Sequence, residues 1–114
     1  MLRREEKPSG LPHNAIAYGT YIKGSIEARE DFRIDGTIEG DISCEGKVVV
    51  GPQAVITGNI TCIHADILGE VNGNIILNDS LIIRKTGKIN GDITTKTLTV
   101  EPDAFFAGSC IMRK

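Results

Sequence analysis

Apolar residues recur along this chain in one short pattern, apolar-x-Gly-x-apolar. It reads Ile22-Lys23-Gly24-Ser25-Ile26, Ile38-Glu39-Gly40-Asp41-Ile42 and Ile56-Thr57-Gly58-Asn59-Ile60 in the first half. It continues as Val71-Asn72-Gly73-Asn74-Ile75, Ile89-Asn90-Gly91-Asp92-Ile93 and Phe106-Ala107-Gly108-Ser109-Cys110. The central glycines lie 16, 18, 15, 18 and 17 residues apart. Six copies at one phase mark an internal repeat, and a period of this length is the signature of a solenoid. Between the copies sit apolar pairs two residues apart: Phe32/Ile34, Val48/Val50, Ala65/Ile67, Leu81/Ile83 and Leu98/Val100. Such alternation turns one strand face inward and the other to solvent. Each period therefore predicts two or three short strands joined at corners such as Asp35-Gly36, Gly51-Pro52 and Glu101-Pro102.

Laid over one another, the periods form columns. Ile22, Ile38, Ile56, Val71, Ile89 and Phe106 make one, and Ile26, Ile42, Ile60, Ile75, Ile93 and Cys110 a second. Ala28, Cys44, Cys62, Leu77, Thr95 and Met112 make a third. A repeat this short closes no core alone and must bury its inner face in a stack. The expected fold is an all-β, single-domain parallel β-helix of about six rungs over residues 16–114, after a flexible arm at 1–15. Its rod is roughly 30 Å long at the ordinary strand spacing. By phase, the glycine column is expected to face the interior, where a Cβ would crowd the opposite wall. Asn72-Gly73 and Asn90-Gly91 also suit hairpin turns, but Gly24, Gly40 and Gly58 share their phase and have no Asn before them.

The net charge of −2 supplies no basic face for nucleic acid, and 4% aromatic content with no Trp removes the usual base-stacking platforms. No apolar run is long enough to span a bilayer, and no apolar signal-peptide core follows the N-terminus. Three cysteines without such a signal suggest free thiols in a reducing cytoplasm.

With its repeats aligned, the chain resembles the bactofilins, bacterial polymer-forming cytoskeletal proteins. The resemblance covers about residues 16–112 and rests on the glycine repeats near 17 residues and the ending Phe106-Ala107-Gly108-Ser109-Cys110-Ile111-Met112. It implies a right-handed, three-sided β-helix and filaments formed without nucleotide through terminal windings. It further implies non-polar filaments, a role in cell shape or protein positioning, and client proteins of the cell envelope or cytoskeleton.

The ends agree on physical grounds. Solenoids need polar caps to remain monomeric, and neither end rung has an evident one. The candidate C-terminal interface is Phe105, Phe106, Cys110, Ile111 and Met112, with Phe106 pointing into the axis and capping the core, and Phe105 outward or on a corner. The candidate N-terminal interface is Tyr18, Tyr21, Ile22 and Ile26. About eight backbone hydrogen bonds at roughly 1 kcal/mol each, with about 2 kcal/mol for a buried Phe, stand against some 4–15 kcal/mol for association. That balance is compatible with assembly. In the arm, Met1, Leu2, Arg3 and Arg4 are a candidate contact with an anionic membrane, offset at once by Glu5 and Glu6. The alternative to a polymer is a β-helical module that binds one protein partner.

The chain reads as a non-enzyme without cofactor or metal. Hexapeptide acyltransferases keep a strict eighteen-residue turn, which these spacings break. They also need a general base, but His13 falls in the arm and His64 at a corner with no orienting partner in evidence. Gly46-Lys47 and Gly87-Lys88 look like the end of a phosphate loop, but Val48 and Ile89 occupy the Ser/Thr position. Cys44 and Cys62 share a column, two ligands short of a zinc site and better read as buried apolar thiols.

Overall fold

The computed structural model describes residues 13–113. Every element in this range is a β-strand, and every strand pair is parallel. The strands stack in three columns of six. The first column holds β2 (Tyr21–Lys23), β5 (Thr37–Glu39), β8 (Val55–Thr57), β10 (Glu70–Asn72), β12 (Lys88–Asn90) and β15 (Phe105–Ala107). The second holds β3 (Ile26–Ala28), β6 (Ile42–Cys44), the first part of β9 (Ile60–Ile67), the first part of β11 (Ile75–Ile83), β13 (Ile93–Thr95) and β16 (Cys110–Met112). The third holds β1 (His13–Ile16), β4 (Asp31–Ile34), β7 (Lys47–Val50), the later parts of β9 and β11, and β14 (Thr97–Val100). The expected solenoid of about six rungs is therefore the observed fold, with three strands to a rung.

The irregular period has a simple origin. Strand lengths and the Gly-x corner between the first and second columns are constant, and the other two corners vary. One takes one or two residues, as at 63 or 45–46; the other takes two or four, as at 35–36 or 51–54. These insertions generate every spacing from 15 to 18 while the apolar columns stay in register.

Inward residues of the middle rungs are sealed. Ile34, Ile38, Val48, Val50, Ile56, Ile60, Ile67, Val71, Ile75, Leu77, Leu81, Ile83, Ile89 and Ile93 have no or almost no exposed surface. β-branched side chains predominate because their stiff χ1 suits a pleated, fully packed face. Thr95 is the buried polar residue among them, and its hydroxyl lies within bonding distance of the carbonyls of Asp79 (3.1 Å) and Thr97 (3.2 Å).

Two expectations are corrected. β1 pairs His13–Ile16 with Asp31–Ile34, so residues 13–15, expected in the arm, belong to the sheet. Only Ile16 in that strand is an apolar inward residue, which left no alternation to read. The glycine column, moreover, does not face the interior. Its members sit at a corner with φ of about +136° to +153°, and a Cβ on Gly40 would meet the carbonyl of Gly24 one rung below. Stacking of corner on corner, not crowding across the core, excludes a side chain there.

Candidate assembly interface at the two ends

The rungs repeat without interruption to both ends of the described chain. The last rung is β14, β15 and β16, paired on one side only with β11, β12 and β13. Its inward residues continue the columns: Phe106 stands over Ile89, Cys110 over Ile93, Met112 over Thr95 and Val100 over Ile83. With nothing above them they lose the burial of their counterparts, so Val100 is 46% exposed where Ile83 is 0%, and Met112 is 53% exposed. Phe106, Leu98, Ala104 and Cys110 are half-buried and pack on the core. Cys110 Sγ lies 3.6 Å from Met112 Sδ, giving a soft sulfur-lined corner to this face.

Phe106, Cys110 and Met112 thus come together on the end face as the sequence suggested, and Phe106 points inward. Phe105 and Ile111 do not join them. Phe105 pairs with Lys88 on the outer side of the first column, with the Lys88 ammonium 5.7 Å from its ring centroid. Ile111 pairs with Thr94 on the outer side of the second. Leu98, Val100 and Ala104 complete the end face. The columns already held the signal for the first two, because Leu98/Val100 is the last inward pair.

At the opposite end, Ile16, Ile22, Ile26 and Ala28 are partly buried and pack on the core from the first rung. Asn14 faces Phe32 from the same rung. Ile22 and Ile26 are where the sequence placed them. Tyr18 lies in the corner at 17–20 and is 72% exposed, while Tyr21 points outward opposite Thr37. Glu39 accepts a hydrogen bond from the Tyr21 phenol, and this, with slight desolvation and the carboxylate charge, raises its pKa above the ordinary value. Both tyrosines therefore rim the end and do not cap it. Met1, Leu2, Arg3 and Arg4 lie outside the described residues.

Among the described residues, both end rungs carry backbone donors and acceptors along one unpaired edge, next to apolar side chains. Chemically, such a face can extend a β ladder and bury Phe106, Val100 and Met112 against another molecule. It holds no catalytic constellation. The nearest approach to one lies elsewhere and corrects the expectation for His64. That residue has partners: Nδ1 is 2.8 Å from Ser80 Oγ and Nε2 is 3.7 Å from Asp79 Oδ2. The group sits on the outside of a strand whose two neighbours occupy its backbone hydrogen bonds, so the local N–H donors are committed to the ladder.

Among the described residues no group of three or more His, Cys, Asp or Glu is placed to hold a metal ion. Cys44 and Cys62 are buried free thiols in the second column. Burial pushes the Cys62 thiol up to about 12, with the neighbouring Cys44 adding to the effect. Both thiols donate to carbonyls, Cys44 to Glu30 and Cys62 to His64, each at 3.2 Å. Lys47 and Lys88, the lysines that follow Gly46 and Gly87, are both strand residues, and Lys47 pairs with Asp66 at 3.5 Å.

The profile of the family described as "Bactofilin: Polymer-forming cytoskeletal" matches residues 14–111. Bactofilin BacO of Myxococcus xanthus (strain DK1622) is 28% identical over 108 residues, which span 95% of this chain and 86% of the relative. Bactofilin BacP of the same organism is 26% identical over 100 residues, 88% of this chain and 42% of that longer protein. Among solved structures, a cryo-EM reconstruction of Thermus thermophilus bactofilin double helical filaments superposes with a TM-score of 0.82 at 27% identity. That match covers 88% of this chain and 99% of the other.

Proposed function

The chain belongs to the bactofilin family of polymer-forming cytoskeletal proteins, and we propose on that basis that it joins end to end through its terminal rungs into nucleotide-independent filaments. The observation that carries the reading is the pair of unfinished ends. The core columns run at full width to the last rung, where Val100 and Met112 stand about half exposed beside the Phe106 ring. A stack of like rungs is completed most directly by another rung of the same cross-section, so the partner is a second copy of this chain.

The two ends differ chemically. One offers Phe, Met and Cys; the other offers Ile, Ala and Asn14. Like ends meeting through two-fold axes give a filament without polarity, the arrangement we adopt. The Thermus relative forms double helical filaments, and we extend to this chain a filament of two wound protofilaments. Its role is structural, not enzymatic: a cytoplasmic scaffold that supports cell shape or positions client proteins. Attachment to the inner membrane face through Met1, Leu2, Arg3 and Arg4 belongs to the same reading.

The test is negative-stain electron microscopy of the purified protein without nucleotide, beside Phe106→Arg. A charged guanidinium in the junction is left desolvated and unpaired, a penalty of several kcal/mol against a surplus of similar size. Filaments in the unaltered protein and none in a folded Phe106→Arg are expected. Monodisperse particles in both, across salt and concentration, would establish the non-polymerising binding module instead.

A further inference from the structure

The three long sides of the rod differ in one respect that matters for lateral contact. The first-column side carries Lys23, Glu39, Glu70 and Lys88, and the third-column side Asp31, Arg33, Lys47 and Asp66. The second-column side is different. Its outward stripe reads Glu27, Ser43, Thr61, Ile76, Thr94, Ile111, without a charge over five successive rungs. Ile76 and Ile111 are 42% and 60% exposed on this stripe. Between Ile76 and Glu27, over Ser43 and Thr61, lies a depression of about 370 Å³.

The corner that borders this side toward the third column is charged unevenly. Arg29, Glu30 and Glu45 occupy it on the first two rungs, Asp79 on the fourth, and Lys96 and Arg113 on the last two, all of them exposed, so the net charge runs from negative to positive along the rod. We infer that this second-column side is the lateral contact between protofilaments and meets the same side of a second copy running in the opposite direction. The inference rests on the end-to-end reading above. A two-fold axis parallel to the strands reverses the rod and keeps this corner against itself. The acidic rungs of each copy then lie along the basic rungs of the other. The same operation sets Thr61 opposite Ile76, Ser43 opposite Thr94 and Glu27 opposite Ile111. In the parallel alternative this corner would meet the glycine corner, which sets Glu45 against Asp41 and keeps a favourable pair only between Lys96 and Asp92.

The contact is small by design of the fold. Six rungs at about 4.8 Å and three-residue strands at about 3.3 Å per residue give roughly 300 Å² per subunit, below the roughly 800 Å² per partner of a stable complex. Single subunits therefore do not pair through it. Subunits already joined in a protofilament do, because each contact after the first is intramolecular.

The experiment compares filament width by negative-stain microscopy in the unaltered protein, Thr61→Lys, Lys96→Glu, Lys96→Glu with Glu45→Lys, and Thr57→Lys on the first-column side as control. Expected are double filaments in the unaltered protein, the control and the double variant. Single protofilaments of about half the width are expected in Thr61→Lys and Lys96→Glu. Double filaments that persist in Thr61→Lys, or that split only in the control, would overturn the assignment of the face. Failure of the double variant to restore pairing would overturn the antiparallel register. An unaltered protein with single filaments alone would overturn lateral pairing and leave end-to-end assembly standing. Complete loss of filaments in folded Thr61→Lys would place this face in the end junction and overturn the inference. An unaltered protein without filaments would overturn both readings.

Discussion

Gly24 and Gly58 occupy the same corner on the first and third rungs and yet differ in what a methyl group would meet. At Gly58, with φ +148°, a Cβ would run into the carbonyl of Gly40 on the rung below. At Gly24, on the first rung, nothing lies within 4 Å, and only the backbone conformation, φ +136°, resists a side chain. Gly24→Ala is therefore expected to cost about 1–3 kcal/mol, the usual range for an L-residue held in this region. Gly58→Ala adds displacement of backbone between two sealed rungs and is expected to exceed 4 kcal/mol, in the exceptional range for one substitution. Urea unfolding of the two variants in the Phe106→Arg background, where assembly does not interfere, measures the difference. Equal losses would show that conformation alone keeps the column glycine.

At the scale of the element, the residue after each corner glycine from Gly40 to Gly91 ties its rung to the next. Asp41 Oδ1 accepts from the Asn59 amide at 3.0 Å, Asn59 Oδ1 from Asn74 at 2.9 Å, Asn74 Oδ1 from Asp92 at 3.0 Å, and Asp92 Oδ1 from Ser109 at 3.1 Å. The last member, Ser109, has no following rung among the described residues. Asn59→Ala leaves the Asn74 amide without this partner and is expected to cost about 1 kcal/mol. Ser109→Ala is expected to be neutral in the monomer, and thermal melts of both report it.

This ladder also shows what the sequence could tell. The Ile and Val columns announced the core, because it depends on residue type at a fixed step, whereas the glycines marked the repeat but were expected inside and not at the corner they form. The turn from the second to the third column was silent. It is made by Ile63 alone or by Asn78-Asp79, without Gly or Pro, so β9 and β11 run on through it. β1 was silent too, since Asn14 occupies an inward position. On the candidate interface, Phe106, Cys110, Met112, Ile22 and Ile26 followed from their columns. The outward positions of Tyr21, Phe105 and Ile111 are a matter of strand parity at the last rungs. For Phe105 the column phase already gave that outward position, and for Tyr21 and Ile111 the sequence reading did not apply it.

For the whole molecule, the decisive property is that a rung contacts only its neighbours, so stability is a sum of rungs and the interfaces between them. The end rungs have one interface each and are the least stable. In the proposed end-to-end filament a neighbouring subunit supplies the second interface, and its contribution grows with subunit concentration by mass action. The apparent melting temperature of the unaltered protein is expected to rise by several degrees over a hundredfold increase in concentration. That of Phe106→Arg should stay level, and differential scanning calorimetry separates the two. A level response in the unaltered protein would mean that its ends contribute nothing to folding stability.

The direction of the hydrogen bonds adds a mechanical property. They run along the rod, so tension on a filament pulls directly on each ladder. Within a subunit, the winding backbone bridges every rung to the next by covalent bonds, and a parted ladder can close again. Across a junction no such tether exists. Under load, such a filament parts between subunits, leaving pieces that are whole numbers of subunits long, with both new ends ready to rejoin.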